Sequence, residues 1–301
     1  MPAFSLAFFE LNFQCDENTT SKLHDKKITS CFALLAMLQL FFMLKGAAQG
    51  NLTLMPKRIV FDGSKKYEEI NLANTGKDTA RYVISLMHVR MKEDGGFEEI
   101  TEPGAGENFA DKYIRFFPHS VVLGPEESQV VKIQLNRTNE LTPGEYRSHI
   151  YFRAMPNAAP LGEPQTQKDS GISIKLVPVF GISIPVIIRV GEVNTEVSLT
   201  EPSINMAEDT VPVLSMTFLR KGNMSVYGDL SVNYISAQGK TISAGTIKGI
   251  AVYSPNAKRQ FKLNLENHPG IDYHTGSLHI TYSTPAEAKQ AKLAETDLVL
   301  H

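Results

Sequence analysis

The residues able to carry acid–base or metal chemistry are present in this 301-residue chain but are not gathered. Its eight histidines, His24, His88, His119, His149, His268, His274, His279 and His301, are scattered, and no pair sits at a zinc-binding spacing. His149 and His279 fall inside alternating runs, where a partly exposed surface position is expected, and Asp272 to His274 reads as turn chemistry. The sequence has no G-x-S-x-G elbow, no P-loop and no G-x-G-x-x-G. Its carboxylates are spread over turns and exposed strand positions and nominate no paired acid and base. The expectation is therefore a protein that is not an enzyme, with no catalytic residue, no metal site and no cofactor.

What remains is the chemistry of a backbone edge and apolar side chains. Ile172 to Val190 reads as one unusually long apolar strand. Ile174, Leu176, Phe180, Ile182 and Ile184 share one parity, while Ser173, Lys175, Gly181 and Ser183 share the other, so one face is an apolar stripe. Pro178 interrupts it and cannot donate to a ladder, which places this part on a sheet edge or at a bulge. Val177, Val179 and Val186 are read as the set serving the protein's own core. Apolar groups on both faces of an edge strand either complete the chain's own sheet or are offered to a partner.

The elements that must position this strand are short alternating runs separated by turn residues, from Asn51 to the end, with no helix of ordinary length. The first runs are Leu52 to Phe61, Tyr67 to Ala73, Arg81 to Met91, Tyr113 to Val122 broken by Pro118, Ser128 to Leu135, and Tyr146 to Met155. With the long strand they number about seven, the spacing of an immunoglobulin-like sandwich. Pro156 to Gly171 reads as a loop, and Gly191-Glu192 as a boundary. Beyond it, Val211 to Leu219, Leu230 to Ile235, Ala251 to Tyr253, Gln260 to Leu265, Gly276 to Tyr282 and Ala291 to Leu300 suggest a second, smaller sandwich, with one helical turn at Pro285 to Gln290. The expected organisation is thus 1–49, 50–191 and 192–301.

The first segment reads as an export signal. Lys26 and Lys27 precede the apolar run Cys31 to Leu44, which gives way to Gly46-Ala47-Ala48-Gln49-Gly50, a pattern too short for a comfortable membrane span. Met1 to Asp25 fits no part of such a signal and is read as an over-extended start; an uncleaved N-terminal anchor is the alternative. Cys15 and Cys31 both lie in this segment, so the exported chain is expected to hold its domains by their cores without disulfides. Loss of 1–49 removes four basic and four acidic residues and leaves the net charge at −2. With no basic tract and no aromatic array, nucleic acid is excluded as a partner.

Four pieces in order carry a resemblance. They are Arg58 to Lys66 (R-I-V-F-D-G-S-K-K), the turn Asn74-Thr75-Gly76, the passage Phe117 to Gln129 (F-P-x-S-x-x-L-G-P-x-E-S-Q), and L-T-P-G-E-Y-R at Leu141 to Arg147 ahead of I-Y-F-R-A-M-P at Ile150 to Pro156. Together these span most of Asn51 to Gly191 and resemble the PapD-like periplasmic chaperones of pilus assembly. The resemblance implies an all-β chain of two immunoglobulin-like β-sandwich domains in a bent arrangement, working in the periplasm. It implies pilin-type subunits as clients, held by strand donation, and an outer-membrane usher as the recipient.

Residue by residue, the resemblance makes Arg58 the anchor for a client's terminal carboxylate, a task suited to the forked donors of a guanidinium. It makes Ile174, Leu176, Phe180 and Ile182 the donor residues, with Ile174 at the margin. It makes Glu145 and Arg189 an interdomain charge pair. Pro185 falls where the family's second anchor, a lysine, would stand; an alternative register would use Lys175 instead. The aspartate that completes the family's interdomain triad has no match near Ile280 to Pro285. Self-association through the apolar edge is a further expectation for the client-free protein. The rival reading is a secreted structural or adhesive surface protein, and a carbohydrate-binding module is disfavoured because tryptophan is absent.

Overall fold

The computed structural model describes residues 52–156, 179–207 and 211–301. The chain is all-β, and its strands form two β-sandwiches within one compact unit. The first contains β1 (Leu52–Met55), β2 (Ile59–Phe61), β3 (Tyr67–Asn74), β4 (Ala80–Met87), a small hairpin of β5 (Val89–Met91) and β6 (Phe97–Glu99), β7 (Ile114–Phe117), β8 (Ser120–Leu123), β9 (Ser128–Leu135), β10 (Gly144–Met155) and β11 (Gly181–Val190). The second contains β12 (Thr195–Ala207), β13 (Val211–Gly222), β14 (Val226–Ile235), β15 (Thr241–Val252), β16 (Lys258–Asn264), β17 (Ser277–Ser283) and β18 (Lys292–Val299).

In the first sandwich a sheet of order β1-β3-β9-β7 faces one of order β2-β11-β10-β4-β8. Alternation explains its core: Tyr146, Ile150, Phe152 and Ala154 of β10 share one face, and meet Ile70, Leu72, Val131 and Ile133 from the opposite sheet. Two of the sequence motifs act as fasteners. Asn74 is fully buried and its amide donates to the carbonyls of Asp78, Leu123 and Gly124, tying two turns together. The Tyr146 hydroxyl accepts from the Thr142 amide at 3.1 Å, the corner hydrogen bond of immunoglobulin-like domains. The second sandwich packs β12-β13-β16 against β15-β14-β17-β18 around Leu214, Phe218, Leu230, Val232, Tyr234, Ile280 and Tyr282.

Three runs that read as continuous strands are divided. Leu52 to Phe61 crosses between sheets: β1 pairs with β3, whereas β2 pairs in parallel with β11, and Pro56, which cannot donate to a ladder, lies between them. Tyr113 to Val122 splits likewise around Pro118, and Arg81 to Met91 breaks at His88, beyond which β5 turns back as a hairpin with β6. Two long strands, β12 and β15, had no clear alternation to reveal them. A bulge between Thr200 and Ser203 moves the apolar parity of β12 from Val197 and Leu199 to Ile204 and Met206, and the β14–β15 register shifts twice. Pro285 to Gln290 holds a single turn, closed by the Ala288 amide on the Pro285 carbonyl.

Candidate functional site

The long apolar strand is an interior strand at one end and an edge at the other. β11 pairs with β10 along its whole length, from Gly181 opposite Arg153 to Val190 opposite Gly144. On its other side β2 covers only Val186 to Ile188. Among the described residues, no strand pairs with that side from Gly181 to Pro185. The Ala154 amide donates to the Phe180 carbonyl at 2.9 Å, so even-numbered residues bond to β10. Gly181, Ser183 and Pro185 therefore direct their backbone groups into the open lane, and Pro185 brings a carbonyl but no amide.

Side chains divide the strand at the same place. Ile184, Val186 and Ile188 are buried in the first core, on the face that also carries Ile182 and Phe180. Ile182 is 40% exposed and Phe180 63%. The expected division of labour between two parities is thus corrected. Val186 serves the core as expected, but from the same even-numbered stripe as Ile182, whereas Val179 is 39% exposed. A single stripe fills the protein's own core and then runs out of it. Ile174, Leu176, Lys175, Val177 and Pro178 lie outside the described residues.

Arg58 stands at the closed end of the open lane. Ile59 is opposite Val186 in the parallel pair, which sets Arg58 level with Pro185, itself opposite His149 on β10. Ile59 and Phe61 enter the core, so Arg58 faces the other way, together with Glu145, Arg147, His149, Ile187 and Arg189. That face meets the second sandwich. The Arg58 guanidinium carbon lies 4.5 Å above the Tyr227 ring, and its Nη1 is buried without a hydrogen-bond partner. Burial, and then the nearby Arg189 charge, lower its pKa from the usual guanidinium value.

Below this row lies a charge knot around a buried carboxylate. Glu145 and Arg189 are cross-strand partners at a non-hydrogen-bonded position, where side chains approach most closely. Glu145 Oε2 accepts from Arg189 Nε at 3.3 Å and from the amide and hydroxyl of Ser225 at 2.9 and 2.7 Å. Its Oε1 accepts from Arg147 Nη2 at 2.7 Å. Arg189 Nη2 donates to the Ser225 carbonyl at 2.7 Å, and Arg147 donates to the Ser254 carbonyl while stacking 3.8 Å over Tyr253. Burial pushes the Glu145 carboxyl up, but Arg147, Arg189 and the Ser225 amide together hold it below the usual carboxylate range. The second sandwich contributes Ser225 to this knot, through its amide, hydroxyl and carbonyl.

Sequence reasoning missed two members of the site. Arg147 follows Glu145 by two positions within L-T-P-G-E-Y-R, a spacing that on a strand puts both on one face and could have flagged it. His149 was expected at a partly exposed surface and is instead 4% exposed. Its Nε2 is 3.4 Å from the Tyr253 hydroxyl, and its Nδ1 is buried with no hydrogen-bond partner. Burial, then the charges of Arg147 and His88, take its pKa down to about 3, so the ring is neutral.

The sequence matches no family model and no curated protein. The structure is similar to the CupB2 chaperone of Pseudomonas aeruginosa at 12% identity and a TM-score of 0.39, over 83% of this chain and 100% of that one. It is also similar to the CsuC–CsuE chaperone–tip subunit pre-assembly complex of archaic chaperone-usher pili from Acinetobacter baumannii, at 11% identity and a TM-score of 0.43, over 81% and 98%. The DraB chaperone of E. coli gives 13% identity and a TM-score of 0.40, over 85% and 99%.

Proposed function

We propose that this chain is an exported, non-enzymatic chaperone that binds pilin-type subunits by lending them the first half of β11, and passes them to an outer-membrane usher from the periplasm. What carries the reading is one coincidence of geometry: the apolar stripe leaves the protein's own core at Ile182 just where the backbone edge of β11 is open. A subunit lacking one strand exposes an apolar groove and an unpaired ladder, and each is what this half-strand can fill. Seating Phe180 and Ile182 in such a groove would contribute about 1.5–3 kcal/mol each. Ile174 and Leu176 are proposed to extend the donor stripe.

The anchor follows from the lane. A client strand beside Gly181 to Pro185 lies in line with β2, and the end of that lane is Arg58. For a terminal carboxylate to meet Arg58, the client strand must run in the same direction as β11. In the proposed mechanism the guanidinium fixes the register of the client, the open backbone groups of Gly181 and Ser183 bond to it, and the apolar stripe completes its core. The Glu145–Arg189 knot, with Arg147 and Ser225, holds the second sandwich against this face. Without a client the same edge is expected to pair with a second copy, which sizing at several concentrations tests.

The deciding experiment is expression in a native periplasm with gentle purification and mass spectrometry of co-purifying proteins, for the unmodified protein, Arg58→Ala and Phe180→Asp. A small β-rich subunit in stoichiometric amount, lost from both variants, is the expected result. A client-free preparation from cells that do express candidate subunits would point instead to a structural or adhesive surface protein.

A further inference from the structure

From Gly181 to Ser183 the strand must be held without being covered. An extended strand has two edges and two faces. One edge of β11 is paired to β10 and the other is the open lane, while the inner face carries Phe180 and Ile182 into solvent. Support that blocks neither the lane nor the stripe must therefore act on the outer face, where Gly181 and Ser183 lie. The second sandwich meets that face through Tyr227 and Tyr253 at Arg58, Arg147 and His149, all at or below the row of Pro185.

Tyr151 reaches the rest of the outer face. It is the β10 partner of Ser183 and points away from the core residues Ile150 and Phe152 that flank it. Its ring leans diagonally across the pair, and its Cε2, Cζ and Oη fill the space that a Cβ would take on Gly181. Such a diagonal is within the reach of an aromatic side chain. A glycine inside a strand weakens it, yet Gly181 has no positive φ and its backbone would accept any residue. What its position requires is room for the ring, and a ring laid on bare backbone offsets the weakness that glycine brings.

We propose that Tyr151 is a positioning residue for strand donation: its ring straps the free half of β11 onto β10 at Gly181 and keeps Phe180 and Ile182 extended and in register for a client. This deepens the strand-donor reading and rests on it. The ring presses on the one face that an incoming strand does not use. It leaves open both the lane, into which the Gly181 backbone groups point, and the apolar stripe. The strap takes over where the other supports end, since β2 stops covering the strand at Val186 and the core stops at Ile184. A half-strand held in this way has less order to gain when a client arrives.

Amide hydrogen exchange in the client-free protein reads the strap at Ile182 and Phe152, partners in the β10–β11 ladder. Tyr151→Ala should speed exchange of both by about two- to fivefold, the worth of a cross-strand aromatic pair, and leave Val186 unchanged. Tyr151→Phe, which keeps the ring, should match the unmodified protein. Gly181→Ala separates a strap from an incidental contact, because its sign depends on the ring. With Tyr151 in place the added methyl displaces the ring and exchange quickens. In the Tyr151→Ala background the methyl meets no ring, and alanine, the better strand residue, slows exchange. The same sign in both backgrounds, or exchange unmoved by Tyr151→Ala, would overturn the proposal. A fluorescent synthetic peptide of alternating valine and threonine then reads the consequence for donation by anisotropy. Tyr151→Ala should bind it about two- to fivefold more weakly, and Tyr151→Phe as the unmodified protein does. Faster exchange with unchanged peptide affinity would overturn the positioning role and leave strand donation standing. Failure of the unmodified protein to bind the peptide would bring down strand donation itself, and the role of Tyr151 with it.

Discussion

The two halves of β11 are built from the same residue types on the same parity and meet opposite fates. Ile184, Val186 and Ile188 are buried between β10, β2 and the facing sheet, while Phe180 and Ile182 continue the same stripe into solvent. Composition does not separate them. The difference is what lies beside the strand: β2 covers β11 only at Val186 to Ile188, and burial reaches one residue of the stripe beyond that cover, to Ile184. In the proposed function such a strand needs no special residues on its apolar face to act as a donor, only a stripe longer than the core it serves. The firmly held half then keeps the free half extended and in register, which lowers the ordering cost of binding.

The firm half ends in the charge knot, and removing Glu145 should give the largest effect. Glu145→Ala removes the buried carboxylate and leaves Arg147 and Arg189 half-buried beside Ser225 with nothing to answer them. Loss of one partner from a buried pair costs about 3–5 kcal/mol. Denaturant unfolding should show a loss of that order, and a loss under about 1 kcal/mol would mean that the knot contributes little to holding the strand.

Next in size is the comparison within the stripe itself. Ile184→Ala opens a cavity in the first core and should cost about 2–5 kcal/mol. Ile182→Ala, two residues upstream on the same face, should cost under about 1 kcal/mol, since so much of its side chain is already in water. Equal losses for the two variants would erase the distinction between the halves.

The boundary between the halves is the row of Arg58, Pro185 and His149, and acid should weaken it. His149 has an ordinary pKa of 6.5 and about 3 in the fold. Between these values the unfolded chain binds a proton that the folded one does not, so stability falls as pH drops from about 6.5 towards 3 and is flat on this account above it. The slope approaches about 1.4 kcal/mol per pH unit inside the window. Glu145, whose folded pKa is lowered, adds a loss of the same sign below its ordinary 4.5. Unfolding curves at several pH values should show a shallower acid dependence in His149→Leu than in the unmodified protein. Identical slopes would remove His149 from this boundary.

How much of this was legible depended on whether the determining contact was local. Arg58, Glu145 and Arg189 could be singled out because each sits in a contiguous motif, whereas the pairing that sets Glu145 opposite Arg189 is a property of the β10–β11 register. His149 was misjudged because its burial comes from Tyr253, more than a hundred positions along the chain, and no window around His149 contains that fact. The core role expected of Val179 failed for a related reason: which residues enter a core is decided by the facing sheet, not by the strand. In the second sandwich, irregularities in β12 and β15 broke the period-two signal even though the strands are long.

The smallest expected change in stability is also the sharpest test of the comparison. Phe180 is 63% exposed and its backbone carbonyl already bonds to Ala154, so Phe180→Asp removes little packing and leaves the ladder intact. Its effect on unfolding should stay within about 0.5 kcal/mol. In the proposed complex the same position enters an apolar groove, where an unpaired carboxylate pays the full cost of desolvation, and client binding should disappear. A variant as stable as the unmodified protein and unable to retain a subunit would establish that this half of the strand is held for another molecule. A variant that keeps its subunit would move the donor function elsewhere, and one that unfolds would return the whole of β11 to the protein's own core.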